Sequence, residues 1–159
     1  MTQSPQQTHE PEIVTLDPSP VALVRETVRL DALPQFFGRA FATVGATVGR
    51  QGVAFAGPPL GIYYGMPSET VDVGAGFPTV SPVTPDAGVI ADTLPGGRAV
   101  QVLHEGPYDQ MEATYGRLTA WMASQQLTPG PVMWECYLNE PDPAKPEATQ
   151  TLIVWPLAE

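Results

Sequence analysis

Apolar positions fall at helical spacing twice along the chain. Phe37, Phe41, Val44 and Val48 are separated by four, three and four residues, and Met111, Tyr115, Leu118 and Met122 repeat those intervals 74 residues later. Residues three and four apart stack on one side of a helix, so each set predicts an amphipathic helix with one apolar stripe. A Gly/Pro turn follows each helix, at Gly57, Pro58 and Pro59 and again at Pro129, Gly130 and Pro131. Apolar, aromatic strand candidates then begin at LGIYYG (60–65) and VMWECYL (132–138). Residues 71–78 can be laid over 149–156: both alternate, and both finish in aromatic-proline, where the missing N–H interrupts a sheet ladder. Upstream of the helices, VALVRETVRL (21–30) and GRAVQVLHEG (97–106) alternate as well. Each half therefore reads strand, helix, strand, strand.

Two such units bury most apolar area by pairing edge to edge. The expected fold is α+β: duplicated strand-helix-strand-strand units about a pseudo-twofold, an antiparallel sheet with two helices, and a pocket at the seam. The halves, about 18–80 and 96–158, make one domain over residues 18–159. Residues 1–17, which open on the polar, acidic MTQSPQQTHEPE, are expected to form a disordered tail. The connector TVSPVTPDAGVIADTLPGG holds a short strand candidate at Gly88 to Ala91, and NEPDPAKPEAT (139–149) reads as a polar hairpin loop. Gly38, Gly45 and Gly49 lie inside the first helix, each about 0.5–1 kcal/mol worse than alanine. They either admit another backbone or a ligand, or are simply tolerated.

Composition narrows the function classes. Seven basic against 17 acidic side chains give a formal charge of -10 in 159 residues. Nucleic-acid binding needs a basic footprint, and an acidic surface is repelled by anionic lipid. The charge either attracts a cationic ligand over a long range or only keeps the protein soluble. A single cysteine, Cys136, excludes an internal disulfide framework and suits a reducing compartment. No apolar run approaches the roughly 18–20 residues of a membrane helix, and the N-terminus has no signal-peptide core. Cytoplasmic residence is expected.

Glu135 is the sharpest candidate for chemistry. It lies in an apolar strand candidate between Trp134 and Cys136, with Met133 and Tyr137 on its own face. It either reaches water at a strand edge or is buried among aromatics. Burial would raise its pKa, and a bound cation would lower it again. Tyr63, which matches Glu135 in the other half, Tyr64, Tyr108, Tyr115 and Tyr137 recur around the expected groove. The helix-face residues Phe37, Phe41 and Met111, together with Trp134, are candidate walls. His104, ahead of a turn, reads as a hydrogen-bonded structural residue, and Cys136 faces away from Glu135. No His/Cys cluster has metal-ligand spacing, and GAGFP lacks the lysine and helix of a phosphate loop. No metal or other cofactor is expected.

Taken together, GPPLGIYYG, VDVGAGFPTV, HEGPYDQM, the helix after it and PVMWECYL resemble the GyrI-like small-molecule-binding domain. That module is the effector-binding part of many MerR- and AraC-type multidrug-responsive regulators, and it also occurs alone. The resemblance starts at about residue 17 and is most specific at Trp134, Glu135 and Tyr137 and at Gly106 and Tyr108. It implies a duplicated fold with a pocket at the junction, the pocket glutamate at Glu135, and aromatic walls at Tyr63, Tyr108 and Tyr137. The chain has no helix-turn-helix and no basic segment ahead of the domain, so direct transcriptional control is not expected.

The first reading is a free-standing binding protein that holds a lipophilic aromatic or cationic drug or toxin against Glu135. The second is an enzyme, because some free-standing members of the family resemble hydrolases of cyclopropane-bearing genotoxic natural products. Glu135 would then be general base, with Tyr108, Tyr63 or Tyr137 donating to the oxygen that gains charge as the ring opens. A third is inhibition of a DNA-handling enzyme by an acidic surface. The residues favour binding.

Overall fold

The computed structural model describes residues 10–140 and 142–158. Strands β1 (Glu12–Leu16) and β2 (Ser19–Arg29) lead into helix α1 (Leu33–Gln51), and β3 (Leu60–Tyr64) and β4 (Thr70–Pro78) complete the first half. The second half repeats that order with β5 (Ile90–Leu94), β6 (Gly97–Glu105), α2 (Met111–Ser124), β7 (Val132–Tyr137) and β8 (Gln150–Pro156). Among the described residues, eight strands form one antiparallel sheet in the order β1-β6-β8-β7-β3-β4-β2-β5.

The halves meet where β3 pairs with β7, with Ile62 opposite Trp134. Residues 72 apart are equivalent there, so the pseudo-twofold axis passes through this pair. The first strand of each half is exchanged: β1 pairs with β6 of the second half, and β5 pairs with β2 of the first. Both ladders keep one register, so residues 12–23 run opposite 90–101, interrupted at Asp17–Pro18 facing Pro95–Gly96. A Cβ on Gly96 would sit 2.9 Å from the Leu16 carbonyl oxygen and 2.6 Å from Pro18 Cδ, so the crossing of the corners requires glycine.

This exchange adds one strand to each expected repeat. The repeating unit has a leading strand before the strand-helix-strand-strand series. Glu12–Leu16, inside the tail assigned to residues 1–17, is a strand. Its partners, Gly97–Gln101, lie more than 80 residues away, so no local pattern announces the pairing. Residues 1–9 of that expected tail lie outside the described residues.

Both helices cover one face of the sheet. α1 lays Phe36, Ala40, Val44 and Val48 onto Ala22, Val24, Val73 and Ala75, and α2 lays Met111, Leu118 and Met122 onto Val100, Val102 and Ile153. On the other face the sheet curls around Val21, Leu23, Leu60, Ile62, Trp134 and Val154. Each such side chain, fully buried, contributes about 1.5–3 kcal/mol of hydrophobic stabilisation. Continuous runs such as Val21–Val24, buried on both faces, follow from this two-sided packing.

The α1 stripe is rotated from the expected one. Phe36 and Ala40 carry the buried face with Val44 and Val48, while Phe37 and Phe41 are half-buried and turn toward the seam. A Cβ on Gly38 or Gly49 would meet nothing within 4 Å, and one on Gly45 would touch Phe77 at an ordinary 3.9 Å. No other backbone approaches the helix glycines.

Candidate functional site

A cavity of about 920 Å³ opens at the seam on the helix-bearing face. Strand alternation sends Met133, Glu135 and Tyr137 of β7 to that face, together with Gly61 and Tyr63 of β3. The start of α1 adds Leu33 and Pro34, with Phe37 and Phe41 one and two turns further on. Met111 and Tyr108 close the α2 side, Pro58, Pro59 and Phe77 come from the strand ends, and Leu138, Asn139 and Glu140 form the remaining wall.

Glu135 is 7% exposed. Its Oε1 accepts the Tyr137 hydroxyl at 2.8 Å, and its Oε2 accepts the hydroxyl of Tyr115, which reaches down from α2. Tyr63 stands on the same face and lines the cavity with Glu135 and Tyr137. Burial drives the carboxyl above its ordinary pKa, against the opposing pull of the three phenols. The phenols of Tyr63, Tyr115 and Tyr137 are raised in turn, first by burial and then by the Glu135 charge. They therefore remain protonated and act as donors. Among the described residues the cavity lining includes no Lys or Arg, and the carboxylate's hydrogen-bond partners are neutral phenols.

Aromatic rings surround the carboxylate. Phe37 and Phe41 lie 6.0 and 6.2 Å from the Tyr137 ring, both edge-on, and Tyr108 approaches it from the other side at 6.0 Å. Phe77 extends this wall, 5.9 Å from Phe41. Tyr108 is 44% exposed and forms part of the rim, where burial and the Glu135 charge raise its phenol.

The turn that carries Tyr108 is held by His104, which is buried. Its Nε2 lies 3.0 Å from the Pro107 carbonyl, which can only accept, so Nε2 carries the hydrogen. Nδ1 then accepts from Thr114 Oγ1 at 2.6 Å, and Thr114 accepts from Arg117 at 3.1 Å. His104 is thus buried and hydrogen-bonded through both ring nitrogens.

The structure brings together Glu135, Tyr137, Tyr63, Tyr108, Phe37, Phe41 and Met111 of the sequence-predicted site. Tyr115 stands behind the carboxylate as its hydrogen-bond donor, outside the cavity wall. Tyr64 and Trp134 are corrections. Each follows a cavity residue by one position or precedes one, so the pleat turns both to the opposite face. Trp134 is packed in the curled-sheet core, and the Tyr64 ring lies 3.7 Å beneath the Arg25 guanidinium, its phenol pushed up to about 12 by burial. Of the two adjacent tyrosines, Tyr63 lines the cavity. Cys136 also faces that core, and burial lifts its thiol to about 11. Leu33, Pro58, Pro59 and Phe77 were not anticipated. The overlay of Phe77 on Trp155 was the available signal, because the Phe41–Phe77 contact is repeated by Tyr115–Trp155 at 6.4 Å. Among the described residues, no group of three or more His, Cys, Asp or Glu could hold a metal ion, and no helix is long and apolar enough to cross a membrane.

A duplicated sheet with one aromatic cavity at its seam, and a few polar groups converging at one point, is the design of a small-molecule-binding domain. The model of the GyrI-like small molecule binding domain matches residues 9–158. The chain belongs to that family. Its fold is similar to that of the EcmrR C-terminal domain (TM-score 0.80, 18% identity, 95% of this chain and 98% of that one). It is also similar to a hydrolase encoded by lin2189 from Listeria innocua (TM-score 0.68, 15% identity, 95% and 93% covered). SAV2435 bound to tetraphenylphosphonium shares the fold at TM-score 0.62 and 13% identity, with 94% of each chain covered. No curated protein sequence matches the chain.

Proposed function

We propose that the protein binds lipophilic aromatic cations in the seam cavity, with Glu135 as counter-charge. The observation that carries this reading is a 7% exposed carboxylate whose hydrogen-bond partners are neutral phenols. Taking an ion out of water without an opposite charge is costly, and a bound cation offsets that cost. The rings of Phe37, Phe41, Tyr108 and Tyr137 supply stacking area and cation–π attraction of about 0.5–2 kcal/mol each. SAV2435, a protein of the same fold, holds tetraphenylphosphonium, a ligand of this chemistry. The net charge of -10 favours the approach of such a ligand.

The test pairs tetraphenylphosphonium with tetraphenylborate, which has nearly the same shape and the opposite charge. Calorimetric titration should show binding of the cation alone, and Glu135→Gln should weaken it by at least tenfold. Equal affinity for the two ions would overturn the reading.

One observation favours a second reading, the hydrolysis of a cyclopropane-bearing aromatic. Burial makes the Glu135 carboxylate a stronger base, and donor phenols lie beside it. Glu135 would take a proton from water as the water oxygen bonds to a ring carbon. The breaking C–C bond would pass its electron pair to a conjugated carbonyl oxygen, which accepts a hydrogen bond from a tyrosine and then takes the proton that Glu135 removed from water. Time-resolved mass spectrometry would then show a product heavier by one water, formed over many turnovers by the wild type and lost in Glu135→Gln.

A further inference from the structure

After α1 the chain adds one residue, Phe55, to the end of β4. Phe55 forms an isolated bridge with Thr79, held by Ala56 N–H to the Pro78 carbonyl at 2.8 Å and Val80 N–H to the Ala54 carbonyl at 3.0 Å. The second half repeats this device. There Pro129 bridges Leu157, with Gly130 N–H to the Pro156 carbonyl at 2.8 Å and Ala158 N–H to the Thr128 carbonyl at 2.9 Å. Proline makes the same bridge as phenylalanine, so the bridge itself does not need an aromatic ring at position 55.

The ring nevertheless has a definite place. It packs edge-on against Phe77 at 4.9 Å and remains 47% exposed. Phe77 lines the cavity and touches Phe41 at 5.9 Å, and Phe41 touches Tyr137 at 6.2 Å. A continuous row of rings therefore runs from the buried carboxylate to the surface. In the second half the equivalents of Phe41 and Phe77 carry polar atoms that are engaged: Tyr115 donates to Glu135, and Trp155 Nε1 donates to the Gly130 carbonyl. In the first half the same two positions carry no polar side-chain atom. One copy of the duplicated ring pair serves the carboxylate, and the other offers an apolar wall. The cavity volume of about 920 Å³ lies near the top of the roughly 300–1,000 Å³ usual for small-molecule sites, which leaves room beyond a compact head group.

We propose that Phe77 and Phe55 form a second, apolar subsite that takes the hydrocarbon or aryl tail of a cation whose charged head lies at Glu135. The proposal rests on the head-group reading above and narrows the ligand class to elongated amphipathic cations. The head enters toward the carboxylate, and the tail leaves along the ring row.

A homologous series from methyl- to octyltriphenylphosphonium, titrated by calorimetry, tests it. Wild-type affinity should climb with chain length, by at most about fourfold per methylene, the equivalent of about 0.8 kcal/mol for full burial. Phe55→Ala should flatten that climb, and Phe55→Leu, which keeps apolar bulk, should restore most of it. A thermal melt of each variant shows that it is folded. Glu135→Gln should lower affinity across the series and keep the slope. A Phe55→Ala slope equal to the wild-type one overturns the subsite and leaves the head-group reading standing. Full affinity in Glu135→Gln with the slope intact overturns the head-group reading instead. A wild type that binds no member of the series overturns both.

Discussion

Gly61 stands directly across the β3–β7 ladder from Glu135, and its missing side chain makes room for the polar cluster. A Cβ there would lie 2.8 Å from the Tyr137 hydroxyl oxygen and 2.8 Å from the Phe37 ring. Gly61→Ala should therefore push both aside, at a cost of about 1–3 kcal/mol in stability. Phe37 and Tyr137 are cavity walls, so their displacement should also lower tetraphenylphosphonium affinity, by about tenfold for a loss of about 1.4 kcal/mol in contacts. Chemical denaturation and titration read the two effects separately. Wild-type values in both would mean that Tyr137 and Phe37 yield freely and that the carboxylate does not depend on their placement.

The raised pKa of Glu135 fixes the sign of a pH effect. The native state holds the Glu135 proton more tightly than the unfolded chain does. The stability that this supplies is present below the ordinary carboxylate range and is lost as pH rises through the raised value. Glu135→Gln does not titrate. It should melt above the wild type at about pH 7, and the gap should close toward about pH 4. A gap independent of pH would show that the carboxyl titrates alike in the folded and unfolded chain. Cation binding has the opposite polarity: it favours the ionised form, releases a proton on acidic buffers and weakens as pH falls.

The duplication and both helices were legible because each rests on local periodicity, whereas periodicity left Glu135 open between a strand edge and burial. Phe37 and Met111, equivalent in the two copies, both reach the cavity. The exchange of β1 and β5 was not legible, because a five-residue strand gains its ladder only from a partner elsewhere in the chain. Trp134 and Tyr64 were drawn into the expected site by proximity in sequence, although alternation in a strand places neighbours on opposite faces. The reverse holds for Tyr115. It lies on the expected helix face, but its hydroxyl bonds Glu135 from behind, and only the distance between α2 and β7 determines that.

Tyr115 offers a way to alter the carboxylate without touching the cavity wall. Its hydroxyl is the largest of the hydrogen-bonding influences that pull the Glu135 pKa down. Tyr115→Phe should therefore raise that pKa further and move the pH midpoint of cation binding upward. At pH values above the new midpoint, affinity should approach the wild-type value, because the walls at Phe37, Phe41 and Tyr137 are intact. A uniform loss at every pH would show instead that the ring itself has shifted.

Rim and scaffold can be separated by a pair of variants. His104 ties β6 to the turn ahead of α2 through Pro107 and Thr114, and Gly106, at φ 135°, sends the chain into that turn. His104→Leu would leave the Pro107 carbonyl and the Thr114 hydroxyl without this partner, at a cost of about 1–3 kcal/mol for each group that stays buried. The turn would loosen, and Tyr108 would lose its set position 6.0 Å from Tyr137. His104→Leu should therefore lower both melting temperature and affinity. Tyr108 itself is 44% exposed, so Tyr108→Ala should lower affinity and leave the melting temperature within about a degree or two. If Tyr108→Ala bound tetraphenylphosphonium as tightly as the wild type, the rim ring would not contact the ligand, and any affinity lost in His104→Leu would have to come from the fold and not from the site.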